Sequence, residues 1–388
     1  MDANRALNRR RLLLAGAVIT GASLFERYVL GTEIRRNSNR GTLLDTLGFQ
    51  GETDALMGVP IASELDERLY TDLSRLSDHR TVTPVSDFFI RTGVSKLVPP
   101  IRHWIMTLDG LVEHEVTLDI QRLRTAAKPM GLHFMECAGN NKLTHFGLIG
   151  VANWTGVPLL KILTAAKVLD AATRVLVSGF DEYGSHSSTS RPGASWIFSL
   201  EELQALNAFL ATGMNGQPLT ANHGAPVRLV VPGWYGCSCI KWVNRITLVD
   251  DTAEPTSQMQ EYAARTLQNG LPLLAKDYQP PRIDHAAMPV RVEKWRVDGK
   301  LEYRVIGILW GGSEPVKTLK IRFNPQEDFV AVQRMQQVDI RTWTRWEHRW
   351  LPAGPGLYSI RLAVTDPVVQ ARKMDAGLYD RAVEINEI

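Results

Sequence analysis

The sequence has little cysteine, no excess of one charge and no long apolar run. Its 388 residues include only three cysteines, too few for a disulfide framework. The 44 Lys and Arg residues nearly balance the 41 Asp and Glu residues. The first forty residues hold eight basic and three acidic side chains, so the rest of the chain carries a small negative excess. A main body of this charge excludes nucleic-acid binding through a basic surface, and we expect no nucleic-acid partner.

The composition is that of a globular protein. Hydrophobic residues make up 44% of the chain and charged residues 22%, which excludes a disordered or fibrous protein. A chain of 388 residues is long enough for about two domains, each with its own core. No internal repeat is visible, so a repeat architecture is not expected.

The basic excess is explained by the N-terminus. Arg9 and Arg10 stand directly before an apolar run that reaches to about Leu24 and is too short to span a membrane comfortably. This layout predicts a twin-arginine export signal at 1–30 and a periplasmic protein that folds around a prosthetic group before export. The alternative interpretation is the basic start of an ordinary amphipathic helix.

The next segments predict an arm and a mixed domain. Residues 31–80 are polar, with helical spacing at Leu65, Leu69, Leu73 and Leu76, and are interpreted as an N-terminal arm. For 81–280 we predict a mixed α/β or α+β domain. Its predicted strands are 104–108, 132–137, 174–179 and 227–231, and its predicted helices are 159–166 and 199–212.

The C-terminal segment has a different pattern. After the Pro-containing linker at 279–282, apolar and polar residues alternate in short runs at 300–309, 316–323, 342–350 and 357–365. We therefore predict an all-β, immunoglobulin-like sandwich over 285–388. Five tryptophans fall here, and they fill the sandwich core or form an aromatic subunit interface.

Cys137 ends an apolar stretch and is followed by Ala138 and Gly139, which allow a sharp turn. A thiolate at this point suits a soft metal ion or nucleophilic catalysis, and the alternative is an inert buried cysteine. Cys237 and Cys239 have the wrong spacing for a zinc knuckle.

A second stretch of interest is 222–242. His223, Arg228 and Lys241 flank a short apolar strand and a Gly-containing loop. Such an arrangement suits an anionic phosphate, and the alternative is a solvated basic surface.

Together these motifs resemble the sulfite oxidase family of molybdenum enzymes from about Phe88 to the C-terminus. The resemblance is carried by F-F-I-R at 88–91, E-C-A-G-N at 136–140, W-T-G-V-P-L at 154–159, the block 223–242 and G-I-L-W-G-G at 307–312. It implies a sulfite-oxidase-type molybdopterin domain followed by the immunoglobulin-like domain.

The resemblance also implies the cofactor site. The cysteine of the C-A-G-N motif binds molybdenum in this family, so Cys137 becomes the metal ligand, and the pterin completes the cofactor. The pterin phosphate is then held by His223, Arg228 and Lys241. Further predicted cofactor contacts are Ser238, Cys239 and Asp181, the last on a looser match.

Three further residues are implied at the substrate. Arg91 matches an arginine that faces the substrate oxyanion, and Tyr262 matches an active-site tyrosine, although a purely structural tyrosine is the alternative. Lys142 stands where sulfite oxidases have a second substrate arginine, and a third arginine is replaced by Ala376. Because lysine lacks the planar fork of arginine, this site is expected to hold sulfite weakly.

The implied activity is two-electron oxygen-atom transfer at a molybdenum–pterin centre, as in a sulfite dehydrogenase. The altered cationic pocket leaves open a reductase of sulfoxides or related S- or N-oxides, or a family member acting on another sulfur compound. A non-enzymatic scaffold is disfavoured because Cys137, Arg91, Tyr262 and the phosphate-binding residues are retained.

The partners follow from the same resemblance. The chain has no C-x-x-C-H haem motif, so we expect no haem in this chain and a separate electron-transfer cytochrome. The substrate is expected to be a small oxyanion or sulfur compound. The C-terminal domain is expected to mediate a homodimer.

Overall fold

The computed structural model describes residues 41–52, 57–61, 67–77, 81–92, 100–180, 194–336, 339–366 and 368–388. The predicted signal segment at 1–30 and the predicted cofactor contact Asp181 lie outside these residues, as does part of the predicted arm. Within the described ranges, no helix is both long enough and apolar enough to cross a membrane. Most of the ordered elements are strands, and the helices are short.

The arm and the N-terminal unit together contain thirteen strands in the described residues. They are β1 (Thr42–Leu47), β2 (Arg68–Leu69), β3 (Ile90–Arg91), β4 (Ile105–Gly110), β5 (Val116–Asp119), β6 (Lys128–Glu136), β7 (Ile149–Pro158), β8 (Arg174–Gly179), β9 (Ser195–Ser199), β10 (Phe209–Met214), β11 (Gln217–Pro218), β12 (Arg228–Val230) and β13 (Val243–Val249). The helices are α1 (Ile120–Ala126), α2 (Leu159–Ala166), α3 (Leu200–Ala205) and α4 (Ser257–Glu261).

Two five-stranded sheets make up most of the N-terminal unit in the described residues. One has the order β11-β10-β7-β6, with β12 paired to β10, and its described pairs are antiparallel. The other has the order β5-β4-β13-β8-β9, in which β4 and β13 run parallel. Although β12 and β6 lie at opposite edges of the first sheet, a guanidinium nitrogen of Arg228 lies 3.1 Å from the sulfur of Met135. Side chains from these two edges are therefore in contact.

The predicted helix at 199–212 is only half present. Ser199 caps α3, but Asn207 adopts a left-handed backbone with φ of 51°, a conformation that asparagine tolerates better than most residues. The following residues, 209–214, are all buried and form β10, which pairs with β7 on one edge and β12 on the other. Pairing with two neighbours outweighs the local helical pattern. The other predicted helix, 159–166, is confirmed as α2.

The described residues of the C-terminal unit contain eight strands and one short α-helix. The strands are β14 (Ala286–Val297), β15 (Lys300–Trp310), β16 (Leu319–Arg322), β17 (Val330–Ala331), β18 (Arg334–Gln336), β19 (Thr344–Trp350), β20 (Gly356–Val364) and β21 (Arg381–Ile385), and the helix is α5 (Arg372–Asp375). They make two sheets of order β1-β14-β15-β19-β18 and β17-β16-β20-β21. The predicted all-β character is present, and the immunoglobulin-like topology stays a prediction.

Aromatic side chains join these two sheets. Phe323 stacks on Trp350 with ring centres 4.2 Å apart, and Tyr358 meets the same indole edge to face at 4.8 Å. Trp343 and Trp346 are also buried. The core interpretation therefore holds for these residues, while Trp295 is only partly covered and lies beneath the guanidinium of Arg304.

The arm contributes to both units. Its strand β1 pairs antiparallel with β14 and becomes an edge of the C-terminal sheet. The helical spacing predicted at 65–76 is wrong where it is described: Leu69 lies in β2, and only Leu73–Arg75 forms a single 3₁₀ turn. Strand β2 pairs with β3, the strand that ends at Arg91.

Candidate functional site

An open cleft lies in the N-terminal unit, near the end of β6 and the start of β12. Its walls come from the segment 88–91, the end of β6, the block 222–241 and the region of α4. Seven residues predicted from the sequence line it: Arg91, Cys137, His223, Arg228, Cys239, Lys241 and Tyr262. The fold thus brings residues more than 170 positions apart into one site.

Cys137 follows directly after β6. Its backbone N–H donates to the carbonyl of Leu148 at 2.9 Å, and the N–H of Gly139 donates to its sulfur at 3.4 Å. Burial raises the pKa of the Cys137 thiol, while the Gly139 N–H and the charge of Arg91 lower it in part. A bound metal ion would favour the thiolate far more strongly than these two groups do.

Glu136 lies just behind this cysteine and is almost fully buried. One carboxylate oxygen accepts hydrogen bonds from the side chains of Asn140, at 3.1 Å, and Tyr379, at 3.4 Å. The other accepts from the indole N–H of Trp310 at 2.8 Å. Trp310 and Tyr379 belong to the C-terminal unit, so the two units meet directly behind the cleft.

His223 is held between two partners in the cleft wall. Its Nδ1 lies 2.7 Å from the hydroxyl of Thr220, and its Nε2 lies 3.2 Å from the carbonyl of Phe88. Burial lowers the pKa of His223 to about 4, and the charges of Arg228 and Lys241 contribute to that lowering. The imidazole is therefore neutral near pH 7. A neutral ring next to a carbonyl acceptor carries its proton on Nε2.

Arg228 is a buried cation. Its side chain donates to the carbonyls of His223 and Cys239, both at 3.2 Å. Burial lowers its pKa to about 10, which leaves it charged at neutral pH. Among the described residues, no carboxylate lies within ion-pair distance of Arg228, and its buried Nε has no hydrogen-bond partner. An anion in the cleft would offset this charge.

Lys241 fixes the opposite side of the same wall. Its ammonium donates to the carbonyl of Arg91 and the hydroxyl of Thr92, both at 3.2 Å, and lies 4.3 Å from the ring centre of Trp242. Gly224 has φ of +100°, and a Cβ there would stand 3.1 Å from side-chain atoms of both Arg228 and Lys241. Only glycine lets the loop pass this closely between the two cations.

Arg91 and Tyr262 stand at other points of the cleft wall. Arg91 ends β3 with an exposed side chain, and its charge acts on Cys137. Tyr262 follows α4, is 6% exposed, and has the guanidinium of Arg265 5.1 Å from its ring centre. The cleft therefore combines a thiol, a phenol and an accessible guanidinium.

The remaining predicted residues have other positions. Lys142 is exposed on a 3₁₀ turn and its ammonium lies over Gly51, so it does not line the cleft. Ser238 is buried behind the wall, where its hydroxyl donates to the carbonyl of Tyr235 at 2.8 Å. Cys239 lines the cleft, but its sulfur packs against the backbone of Val231. Ala376 is exposed.

Sequence reasoning did not assign several residues that line or shape the cleft. Gln258 accepts from the backbone N–H of Ser195 at 2.8 Å and donates to the carbonyl of Cys237 at 2.7 Å, which fixes the loop 236–239. Asn222 lines the cleft beside His223. Because Asn222 directly precedes the predicted phosphate contact His223, its place at the cleft could have been predicted from the sequence. Nothing in the sequence around Gln258 indicates that it fixes the loop 236–239.

The cleft wall has the groups that a phosphate-bearing pterin and a soft metal need. Arg228 supplies a buried donor without a partner, Gly224 keeps the wall open between two cations, and Cys137 supplies a soft sulfur ligand. The buried Oδ1 of Asn222 likewise has no donor among the described residues. These residues fit a molybdopterin group.

Comparison with known proteins gives the same cofactor class. Residues 95–257 match the family described as oxidoreductase molybdopterin binding domain. Among curated proteins, the nitrate reductase (NADPH) of Beauveria bassiana is 32% identical over 170 residues, which cover 40% of this chain and 18% of that protein. The sulfite oxidase of Arabidopsis thaliana is 27% identical over 200 residues, which cover 47% of this chain and 51% of that protein. The chain thus spans at most about half the length of these relatives.

A solved structure extends the similarity to both units. The crystal structure of the sulfane dehydrogenase SoxCD from Paracoccus pantotrophus superposes with a TM-score of 0.65 and 20% sequence identity. The match covers 87% of this chain and 90% of that one, and at this identity it shows the fold alone. Residues 95–257 thus match a molybdopterin-binding oxidoreductase domain, and the chain is similar there to sulfite oxidases and nitrate reductases.

Proposed function

We propose that this chain is a sulfite dehydrogenase-like enzyme that oxidises a small sulfur oxyanion. The observation that carries the proposal is the meeting, in one cleft, of the Cys137 thiol, the accessible Arg91 guanidinium and the buried cation Arg228. The two arginines suit two different anions. Arg228 is buried, which suits a phosphate that stays bound, and Arg91 is exposed, which suits a substrate that binds and leaves.

The cofactor, when bound, supplies two-electron oxygen-atom transfer, which the protein side chains cannot perform. Cys137 holds the metal, and Arg228, His223 and Lys241 hold the pterin phosphate. Arg91 orients the oxyanion, and the phenol of Tyr262 offers one hydrogen bond at the cleft wall. In the overall reaction sulfite gains one oxygen from water and releases two protons and two electrons.

A sulfur substrate is supported by two neighbours. The Arabidopsis relative is named a sulfite oxidase, and the Paracoccus structure is named a sulfane dehydrogenase. A reductase acting on S- or N-oxides, or on another oxyanion, is the second candidate. It is favoured by the nitrate reductases among the relatives and by the position of Lys142, whose ammonium lies outside the cleft where the resemblance placed a second substrate cation.

We further propose that the enzyme works in the periplasm, as a homodimer, with a separate cytochrome as electron acceptor. The twin-arginine pattern at 9–10 supports export, and the absence of a C-x-x-C-H motif from this sequence supports a separate acceptor. Light scattering on the purified full chain tests the dimer, and a monomer would contradict it.

The deciding experiment is a substrate panel on molybdenum-loaded protein. Sulfite is offered with ferricyanide as the electron acceptor, and dimethyl sulfoxide, trimethylamine N-oxide and nitrate are offered with reduced viologen as the donor. We expect sulfite-dependent reduction of ferricyanide with a weak KM. Turnover of an oxide or of nitrate, with none of sulfite, would establish the reductase instead.

A further inference from the structure

The wall of the cleft offers one exposed cation to an anion that enters from solvent. Arg228 is buried, and Lys241 donates to the carbonyls of Arg91 and Asn222 and to the hydroxyl of Thr92. Among the described residues of the wall, this leaves the exposed side chain of Arg91. Fully ionised sulfite carries two negative charges, so one guanidinium balances only one of them.

A second guanidinium lies beside the wall without being part of it. The guanidinium carbon of Arg265 is 5.1 Å from the ring centre of Tyr262. The ring of Tyr262 is buried and lines the cleft together with Cys137 and Arg91. A guanidinium at this distance is attracted to an aromatic ring. The tyrosine therefore keeps the positive charge of Arg265 next to the cleft.

The backbone fixes the relation between these two residues. Tyr262 directly follows α4, and Arg265 is on the 3₁₀ turn that comes next. The backbone N–H and the hydroxyl of Thr266 both donate to the carbonyl of Tyr262 at 2.9 Å. Beyond the turn, the side-chain amide of Gln268 bonds the backbone of Gln279 at 2.7 and 2.8 Å. Arg265 thus projects from a well-anchored turn.

The charge of Arg265 remains available to a ligand. Glu261 is exposed four residues earlier, a spacing that allows an ion pair within a helix, but α4 ends at Glu261. In the described part of the chain, no carboxylate forms an ion pair with Arg265, whose side chain is exposed. An anion that binds at Tyr262 can therefore attract this guanidinium.

We propose that Arg265 is a second substrate-binding cation, which attracts a dianionic substrate into the cleft and balances the charge that Arg91 leaves. The inference rests on the proposed function, because it concerns the anionic substrate of that same site. An anion bound to the phenol of Tyr262 lies within about 10 Å of a guanidinium on the same ring, which is the Debye length at about 0.1 M salt. A charge at the edge of a site mainly changes how fast an anion enters and how strongly salt affects its binding.

The test uses sulfate, the product of sulfite oxidation, as a dianionic probe. Calorimetry measures its binding to molybdenum-loaded protein at about 0.1 M and about 1 M salt. Arg265→Gln should raise the Kd about two- to fivefold at the lower salt concentration, as for one exposed charge. The difference should vanish at the higher one, where the Debye length is about 3 Å. Arg265→Lys keeps the charge and should stay near the wild-type Kd.

Arg124→Gln is the matched control. Arg124 is an exposed arginine of the same unit, on α1, which does not line the cleft, so this variant should bind sulfate like the wild type. Sulfite turnover with saturating ferricyanide gives a second reading. In Arg265→Gln the KM for sulfite should rise by a similar factor at unchanged kcat, because the charge acts on binding.

Three results would overturn the proposal. They are equal sulfate affinities in wild type and Arg265→Gln, a difference that does not depend on salt, and an equal loss in Arg124→Gln. A loaded wild-type chain that binds sulfate with the expected dependence on Arg265 but does not oxidise sulfite would instead refute the proposed function.

Discussion

The backbone N–H of Gly236 donates to the carbonyl of Glu136 at 2.6 Å. This single hydrogen bond joins the loop that follows β12 to the end of β6, one hundred residues earlier in the chain. It places Cys237 beside Cys137 in the cleft, and the charge of Cys137 raises the pKa of the Cys237 thiol beyond the effect of burial. The metal-ligand motif and the phosphate-binding block are therefore parts of one surface.

Cys137→Ser is expected to abolish sulfite turnover while leaving the fold intact. The serine hydroxyl can still accept from the Gly139 N–H, but it is a hard, weakly acidic ligand for a metal that prefers thiolate. Steady-state kinetics with ferricyanide check the first point, and circular dichroism with thermal unfolding checks the second. Wild-type rates in the variant would show that Cys137 is not the ligand.

Arg228→Met should reduce how much pterin the protein retains without a matching loss of stability. The variant loses charge-assisted hydrogen bonds of about 1.5–3 kcal/mol each to an anion, so pterin content should fall by about tenfold or more. In cofactor-free protein the variant also removes a buried cation that has no carboxylate partner among the described residues. Its unfolding free energy should therefore change little, because removing the buried charge offsets the loss of its hydrogen bonds to the carbonyls of His223 and Cys239. Pterin fluorescence after oxidation and urea unfolding give the two readings. Equal pterin content in both proteins would contradict the anion role.

Arg91→Gln is expected to reduce kcat/KM for sulfite by about tenfold or more, since about 1.4 kcal/mol corresponds to tenfold. Lys142→Gln is the matched comparison and should change the same constant by less than about twofold, because its ammonium lies outside the cleft. Steady-state kinetics with ferricyanide measure both. A large loss in Lys142→Gln would restore the role that the sequence resemblance implies for this lysine.

His223 should make the cofactor-free protein less stable in acid. Its pKa is about 4 in the folded state and about 6.5 in the unfolded chain, so between these values only the unfolded state binds the proton. Stability is therefore lost as the pH falls from about 6.5 to about 4, by about 3 kcal/mol at most. Urea unfolding at pH 7 and pH 4.5 should show a smaller loss for His223→Gln than for wild type. Parallel losses in the two proteins would mean that His223 titrates normally in the fold.

Export is expected to fail when both Arg9 and Arg10 are replaced by lysine, because twin-arginine signals depend on this pair. Cell fractionation should then find the chain with cytoplasmic markers, whereas the wild-type chain is expected with periplasmic ones. Normal periplasmic accumulation of the double variant would refute the signal interpretation.

Many residues of the site were predictable because they lie in short motifs. The residues that hold these motifs in place from behind were not predictable. Cys137, His223, Arg228 and Lys241 belong to the motifs that carry the family resemblance, and the structure brings all four into one cleft. Glu136 was visible in the same motif. Its hydrogen-bond partners Trp310 and Tyr379 lie more than 170 residues away and carry no local signal.

The same contrast holds for the fold. Local patterns predicted α2 and β8 with their observed bounds. In both segments the pattern of neighbouring residues favours the conformation that is observed. The segment 209–214 has a locally helical pattern but is a strand because β7 and β12 pair with it. No local pattern assigns β1 to the C-terminal sheet.

The strand β1 also constrains the order of folding. Its partner β14 lies about 250 residues later, and beyond β1 Phe49 pairs with Val383 near the end of the chain. A ribosome therefore releases almost the whole polypeptide before β1 can dock, and closing so large a loop is slow. Until then the long β14 has an unpaired edge, which is open to pairing with other chains. Strand β1 is therefore synthesised first, but it is among the last strands to dock on the C-terminal sheet.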